Sequence, residues 1–392
     1  MKKATKQSLI FSGVMIVVCV LLCLLPDPFL NQYSAVPRAQ VRIDTVDNSD
    51  LLPIGIVYSG VQNCTVTVLT GAHRGERATG SNYLNTSLDK DKLFQPGDTA
   101  YALVQDGKNG LQITLVDHYR LDSELLIFGA LSVALIAFGG IIGSGALISL
   151  AASAVVIWKL LIPLLLKGID PVLASFATVL LLTALIDLLV AGFTRRCAVA
   201  LLGSLAGTMV TFLLAMLFTG WLKLDGGDLP YVVPLLSQSA LQVNTRDLYI
   251  GMMFIANSGA LMDLSMDVSV GCQEVQRHCP DISRGLLLKS GLTIGRGVLG
   301  TMATTLMLAY SGNYLSMLMY FMGQGTPLTD VANLKYVASQ LLNTLVGSFG
   351  LVATAPLSAL VASVIYTRKD KPIRLHNAKA QSSSVQPSEN AI

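Results

Sequence analysis

The sequence predicts a membrane all-α helical bundle of about eight transmembrane helices, with a small extracytoplasmic all-β, OB-like module between the first and second spans. Three observations lead there. The composition is 52% hydrophobic and only 13% charged, against about 25% charged in ordinary soluble domains, and the mean hydropathy is +0.60. After Arg120, apolar runs near the length of about 20 residues that crosses a bilayer follow one another almost without pause. The one long polar interval, residues 27–124, alternates as half-buried strands do.

Four regions follow. Residues 1–26 hold a cytoplasmic N-terminus and the first transmembrane helix, 27–124 the extracytoplasmic β-module, 125–367 a transmembrane bundle of seven helices, and 368–392 a polar, Ser-rich cytoplasmic tail expected to be disordered. The first apolar run, residues 8–25, carries no charge. It exceeds the ~7–15 residues of a signal-peptide core and shows no small-x-small cleavage site before Pro26, so it reads as a retained span.

In the β-module, residues 42–46, 64–69, 99–104 and 111–116 are rich in β-branched side chains. Turns are marked by Gly71, by Pro96-Gly97-Asp98 and by residues 106–110, a hairpin signal. Four or five short strands in so few residues suggest a closed barrel, because closure removes the sheet edges. His73, Arg74 and Arg77 read as a solvated turn rather than an anion site.

The remaining spans are expected at residues 125–142, 146–166, 171–193, 198–221, 245–266, 286–309 and 338–366, with Gly143-Ser144-Gly145 as a tight turn between the first two. Residues 314–322 are apolar but too short to cross alone, and read as the end of a long helix or a re-entrant half-helix. Lys2, Lys3 and Lys6, then Arg195 and Arg196, then Arg277 and Arg284, then Arg368, Lys369, Lys371 and Arg374 fall on one side of this arrangement. The excess of basic residues places that side, with both termini, in the cytoplasm.

Several function classes are excluded or disfavoured. A dispersed net charge of +3 gives no nucleic-acid footprint. The 6 cysteines suggest no disulfide framework, the 4 histidines are scattered, and Cys272, His278 and Cys279 read as loop residues rather than metal ligands. No cofactor is expected. No nucleotide-binding fingerprint, Ser-His-Asp set or metalloprotease motif is present, so the chain is expected not to be an enzyme.

What remains is a set of charges inside apolar sequence: Asp187, Asp263, Asp267, Lys289 and Arg296. A charge at the bilayer centre costs about 2.5–3.5 kcal/mol on insertion scales, so such residues face protein, water or a partner. Asp263 and Asp267 are four apart and share a helix face. Arg296 is expected to pair with Asp263. Gly259, Gly291, Gly295 and Gly300 are candidate helix-packing positions.

The stretch Gly259-Ala260-Leu261-Met262-Asp263, followed by Ser290-Gly291-Leu292-Thr293-Ile294-Gly295-Arg296, by Gly300-Thr301-Met302 and by Leu306-Met307-Leu308-Ala309-Tyr310, resembles the signature of the YibE/F family of bacterial multi-spanning membrane proteins. The similarity extends to Leu345-Val346-Gly347-Ser348-Phe349-Gly350-Leu351 with Pro356, to Gly192-Phe193, and to the outer module with Pro96-Gly97-Asp98 and Asp117-His118-Tyr119-Arg120. The chain departs from the family pattern at Gly297, Thr304 and Gln340, where acidic, asparagine and acidic residues would stand. The resemblance implies a multi-pass protein of the bacterial cytoplasmic membrane, its partners the lipid bilayer and a second YibE/F-like chain or further copies of itself, with no nucleic acid. It implies no particular activity.

Two functional readings result. One is a transporter or permease component with a polar intramembrane site and an unknown small-molecule substrate. The other is a non-enzymatic scaffold or assembly protein whose outer β-module binds a partner or envelope component. An aspartyl hydrolase built on Asp187 and Asp263 is disfavoured, because Asp225-Gly226-Gly227-Asp228 does not match the Gly-x-Gly-Asp pattern of intramembrane aspartyl proteases.

Overall fold

The computed structural model describes residues 2–25, 36–107, 110–237, 243–312 and 314–367. The expected tail, 368–392, lies outside the described residues. The chain divides into two units, 1–164 and 165–392.

The first unit begins with α1 (Lys2–Leu24) and continues into six strands: β1 (Arg38–Asp47), β2 (Leu51–Ile54), β3 (Val57–Val68), β4 (Arg77–Asn85), β5 (Thr99–Gly107) and β6 (Gly110–His118). β1 pairs antiparallel with both β3 and β5, β3 with β4, and β5 with β6, while β4 runs parallel to β6. These pairings close five strands into a barrel, and β2 hangs on β3 as a short hairpin arm. Pro53 in that arm costs nothing, since an edge strand has N–H positions with no partner to lose.

Alternation selects the core. Ala39, Val41 and Ile43 of β1 point inward beside Cys64, Val66 and Val68 of β3, Ala100, Ala102 and Val104 of β5, and Ile113 and Leu115 of β6. Phe94 enters from the connection between β4 and β5, 2% exposed. Its backbone would be stranded there without Gln62, which is fully buried and spans the gap. Phe94 N–H donates to Gln62 Oε1 at 3.0 Å, and Gln62 Nε2 donates to the Phe94 carbonyl at 3.1 Å. Asn82 Nδ2 donates to the same Gln62 Oε1 at 3.0 Å and to the Lys92 carbonyl at 2.7 Å. The β5–β6 hairpin forms where residues 106–110 suggested, with Gly107 opposite Gly110; its tip, residues 108–109, lies outside the described residues.

Cys64 is 1% exposed in this core, and burial pushes its thiol up to about 11. A thiol held protonated and shielded is a poor nucleophile. At pH 8 it is therefore expected to resist a maleimide in the folded protein and to react within minutes in denaturant; equal labelling in both would contradict the buried placement.

After the barrel, α2 (Leu121–Val156) is interrupted at Gly140, whose φ of 53° and ψ of −124° are not helical. Gly143 then lies directly against the Leu135 carbonyl. Eight residues of straight helix would separate those groups by about 12 Å, so the chain doubles back here. The tight turn expected at Gly143–Gly145 thus exists, but it pivots a few residues earlier, and Gly143 is needed for the close approach of the two arms. The second arm widens into a π-turn at Ile157–Leu161 and ends in α3 (Ile162–Leu166), with Ile162 N–H bonding the carbonyl of Ile157. Pro163 explains the widening: it has no N–H to give and its ring would strike the carbonyl one turn back.

The second unit holds α4 (Pro171–Ala191), α5 (Arg195–Trp221), α6 (Val232–Ser237), α7 (Thr245–His278), α8 (Arg284–Gly312), α9 (Leu315–Gly323), α10 (Leu328–Asn333) and α11 (Lys335–Tyr366). α4 starts where Asp170 accepts from Leu173 N–H at 3.0 Å and Pro171 opens the first turn; it stops at Gly192, whose φ of 67° side-chain-bearing residues avoid. Asn244 caps α7 through Arg246 N–H at 3.1 Å. α7 packs on α4, α5, α8 and α11, and α11 also packs on α5 and α8.

Small and hydroxylated residues make these contacts. A Cβ on Gly203 would overlap Ser358 and Ser265, and one on Gly207 would overlap Thr354. Ser265 Oγ donates to the Ala200 carbonyl at 2.8 Å, Ser358 Oγ to Ser265 Oγ at 2.9 Å, and Ser269 Oγ to the Arg196 carbonyl at 3.1 Å. Such close backbones bridged by hydroxyls are how helices associate where burying apolar surface gives no advantage over lipid.

Among the described residues, six helical segments are long and apolar enough to cross a membrane: Leu121–Leu166, Pro171–Ala191, Arg195–Trp221, Thr245–His278, Arg284–Gly312 and Lys335–Tyr366. Phe11–Leu24 is a shorter apolar helix, and the first of the six is itself the hairpin broken at Gly140. The short apolar stretch at 314–322 becomes α9, a nine-residue helix separate from α8.

Candidate functional site

Asp187 sits one turn before the end of α4, 2% exposed, and its Oδ2 has no hydrogen-bond partner. Thr183 Oγ1, one turn earlier on the same face, is likewise buried and unpartnered. Asp263 on α7 is near enough for the two carboxylates to repel, and Cys197 of α5 also feels the Asp187 charge. Asp263 and Asp267 are exposed on one stripe of α7 that continues through Met252, Ala256, Gly259 and Val270. Among the described residues nothing covers this stripe along the middle of α7, whereas its other faces meet α4, α5, α8 and α11.

Arg296 does not pair with Asp263. Among the described residues it makes no ion pair, and the register of α8 explains why. Gly291 and Gly295 face inward, where a Cβ would come within 2.9 Å of Ala359 and Ala355 of α11. At about 100° per residue, Arg296 lies about 140° and Lys289 about 160° away from Gly291. Both are exposed on the outward face of α8, together with Thr293, Gly300 and Thr304. A Cβ added at Gly259 or Gly300 would meet nothing within 4 Å among the described residues, so neither is a close helix contact there. The expected cluster is therefore divided: the carboxylates of Asp187, Asp263 and Asp267 lie on α4 and α7, Asp263 within electrostatic reach of Asp187 and one turn from Asp267, while the cations stand apart on the outward face of α8.

A second feature escaped the sequence. Near the opposite ends of the same helices, Tyr249, Tyr310, Tyr314, Tyr336, Gln340 and Asn343 line a cavity of about 210 Å³ with Leu229, Pro230 and three small or sulfur-bearing side chains of α7. Tyr249 Oη donates to the Ser339 carbonyl at 2.5 Å, and Tyr310 Oη to Asn257 Oδ1 at 3.2 Å. Asn257 Nδ2 in turn donates to Asn343 Oδ1 at 3.1 Å. Tyr314 and Tyr336 meet edge to face, 5.5 Å between ring centroids. Beside them Lys335 pairs with Asp225 and, with Gly227 N–H, holds that carboxyl below the usual carboxylate range. The available signal was tyrosines at the ends of three successive long helices, a pattern shared with ordinary interfacial anchors.

Among the described residues, no group of three or more His, Cys, Asp or Glu side chains is placed to hold a metal ion. Cys272 is buried while Cys279 and His278 are exposed, so these three do not converge.

A search of curated proteins and a search of solved structures each found no match. The family model described as YibE/F-like protein matches residues 127–368, which is more than half of the chain and begins after the barrel. The similarity noted in the outer module is thus outside the matched region, whereas Asp187, Asp263, the Gly291–Gly295 contact and the tyrosine cavity all fall within it. The chain belongs to the YibE/F-like family.

Proposed function

We propose that this protein is a transporter or permease component of the bacterial cytoplasmic membrane, with both termini cytoplasmic, the barrel outside, and no enzymatic step of its own. The carrying observation is Asp187: a carboxylate with a buried, unpartnered oxygen beside a second carboxylate, inside helices long and apolar enough to cross a bilayer. Such a group weakens a fold, and its presence is accounted for by an ion, proton or solute that uses it. The outward Lys289 and Arg296 of α8 fit coverage by a second copy or by another family member, since two cations facing lipid would be costly.

A second reading has its own support. The barrel's strand arrangement is that of an OB-type barrel, a fold that binds partners on its faces and loops. Its β2 arm exposes Leu52, Ile54 and Ile56, the last 82% exposed. An apolar tip of this kind suits docking to a partner or envelope component.

Purification in mild detergent, followed by mass spectrometry of what copurifies, separates the two. A small solute retained by the wild type and lost from Asp187→Asn supports transport. A protein in stoichiometric amount, lost when Ile54 and Ile56 are changed to serine, supports the scaffold and counts against transport as the primary role.

A further inference from the structure

We infer that the cavity bounded by Tyr249, Tyr310, Tyr314 and Tyr336 is a binding site for a small organic cation of the ammonium class, with Asp228 as its counter-charge. The hydroxyls of Tyr249 and Tyr310 are engaged by Ser339 and Asn257, neither of which lines the cavity, so these two residues contribute their rings to it. Tyr314 and Tyr336, in edge-to-face contact, add two more. Aromatic rings converging on one space attract a cation through their negative faces, most strongly where water is excluded.

The independent observation is Asp228. Both of its carboxylate oxygens are shielded from solvent, and neither has a hydrogen-bond or ion-pair partner among the described residues. It directly precedes Leu229 and Pro230, which line the cavity, and its charge reaches the hydroxyls of Tyr249 and Tyr314. The neighbouring Lys335 is held by Asp225 instead. A carboxylate with both oxygens shielded and no cation beside it is an unfavourable arrangement, and a ligand ammonium in the adjoining cavity supplies what is missing.

The ligand's class follows from the lining. A hard metal ion asks for about six or more oxygen ligands, whereas the lining offers two amides with thioether and aromatic groups, and Asp228 stands beside it rather than in it. A volume of about 210 Å³ matches a quaternary or primary ammonium with a short substituent. This deepens the transport reading by giving its solute a chemical class, yet binding is read without transport, so each can fail while the other stands.

The test is calorimetric titration of the full-length protein in detergent with choline, with tetramethylammonium, and with dimethylbutanol, the uncharged carbon analogue of choline. Saturable binding of both cations is expected, with the alcohol weaker by ~10-fold or more. Asp228→Asn and Tyr314→Leu are each expected to weaken choline by ~10-fold, and Tyr314→Phe, which keeps the ring, by less than ~3-fold. Equal affinity for the alcohol, no saturable binding of either cation by the wild type, or wild-type affinity in a folded Asp228→Asn protein would each overturn the inference. The first two outcomes need no variant to fold. Choline that binds but is not moved across proteoliposomes leaves the site standing and removes the transport reading.

Discussion

Replacing Gly207 with leucine is expected to destabilise the helical unit by about 3 kcal/mol, the upper end of what overpacking costs. Any Cβ at this position would overlap the hydroxyl of Thr354 on α11. Thr354 is fully buried and its Oγ1 is bonded to the Gly350 carbonyl at 2.8 Å, so it cannot swing aside without breaking that bond. Gly350 in turn lies against Thr211 of α5, which prevents α11 from simply sliding along its neighbour. The measurement is the fraction of monodisperse protein surviving a temperature series in detergent. Gly300→Leu is the matched control, since nothing lies within 4 Å of a Cβ there. It should survive as the wild type does in detergent, and equal losses in the two variants would mean that the α5–α11 contact is not close.

Gln62→Ala is expected to cost the barrel about 3 kcal/mol. The side chain is fully buried and is the hub for Phe94 N–H, the Phe94 carbonyl, Asn82 Nδ2 and Asn48 Oδ1. Truncation leaves the Phe94 N–H and carbonyl buried without partners, each at about 1–3 kcal/mol, besides opening a cavity. Residues 36–118 have a closed strand ladder and their own apolar core, so they are expected to fold when expressed alone. Urea titration of this fragment by circular dichroism reads the effect. A midpoint unchanged in Gln62→Ala would show that Phe94 does not depend on this side chain.

Much of this organisation could be read from the residues, for physical reasons that differ by element. Apolar runs identified the long helices because length and hydropathy are set locally. β1, β3, β5 and β6 followed from alternation, but β4 did not: its Gly80, Ser81 and Asn82 look like turn residues, and only the pairing with β3 and β6 makes them strand. The reversal near residue 140 was displaced because Gly139-Gly140 and Gly143-Ser144-Gly145 are equally permissive, and the choice between them depends on how the two arms pack.

Site residues divide the same way. Asp187 was conspicuous as a charge in apolar sequence, and it is the one found buried beside another carboxylate. The Arg296–Asp263 pair failed because adjacency of helices does not fix their rotation; Gly291 and Gly295 turn α8 so that its cations face outward. The tyrosine cavity draws on Tyr249, Tyr310, Tyr314 and Tyr336, which are distant in sequence and individually ordinary.

The proposed transport role requires Asp187 to serve what passes or binds beside it rather than the fold, and the unfolding temperature of Asp187→Asn in detergent tests that most directly. Asparagine keeps the shape and removes a charge whose Oδ2 has no hydrogen-bond partner among the described residues. The unfolding temperature should stay level or rise, while cells carrying the variant behave as cells lacking the gene. A fall of several degrees, the signature of a broken buried ion pair, would mean that Asp187 holds the helices together and that its place in a transport site is wrong.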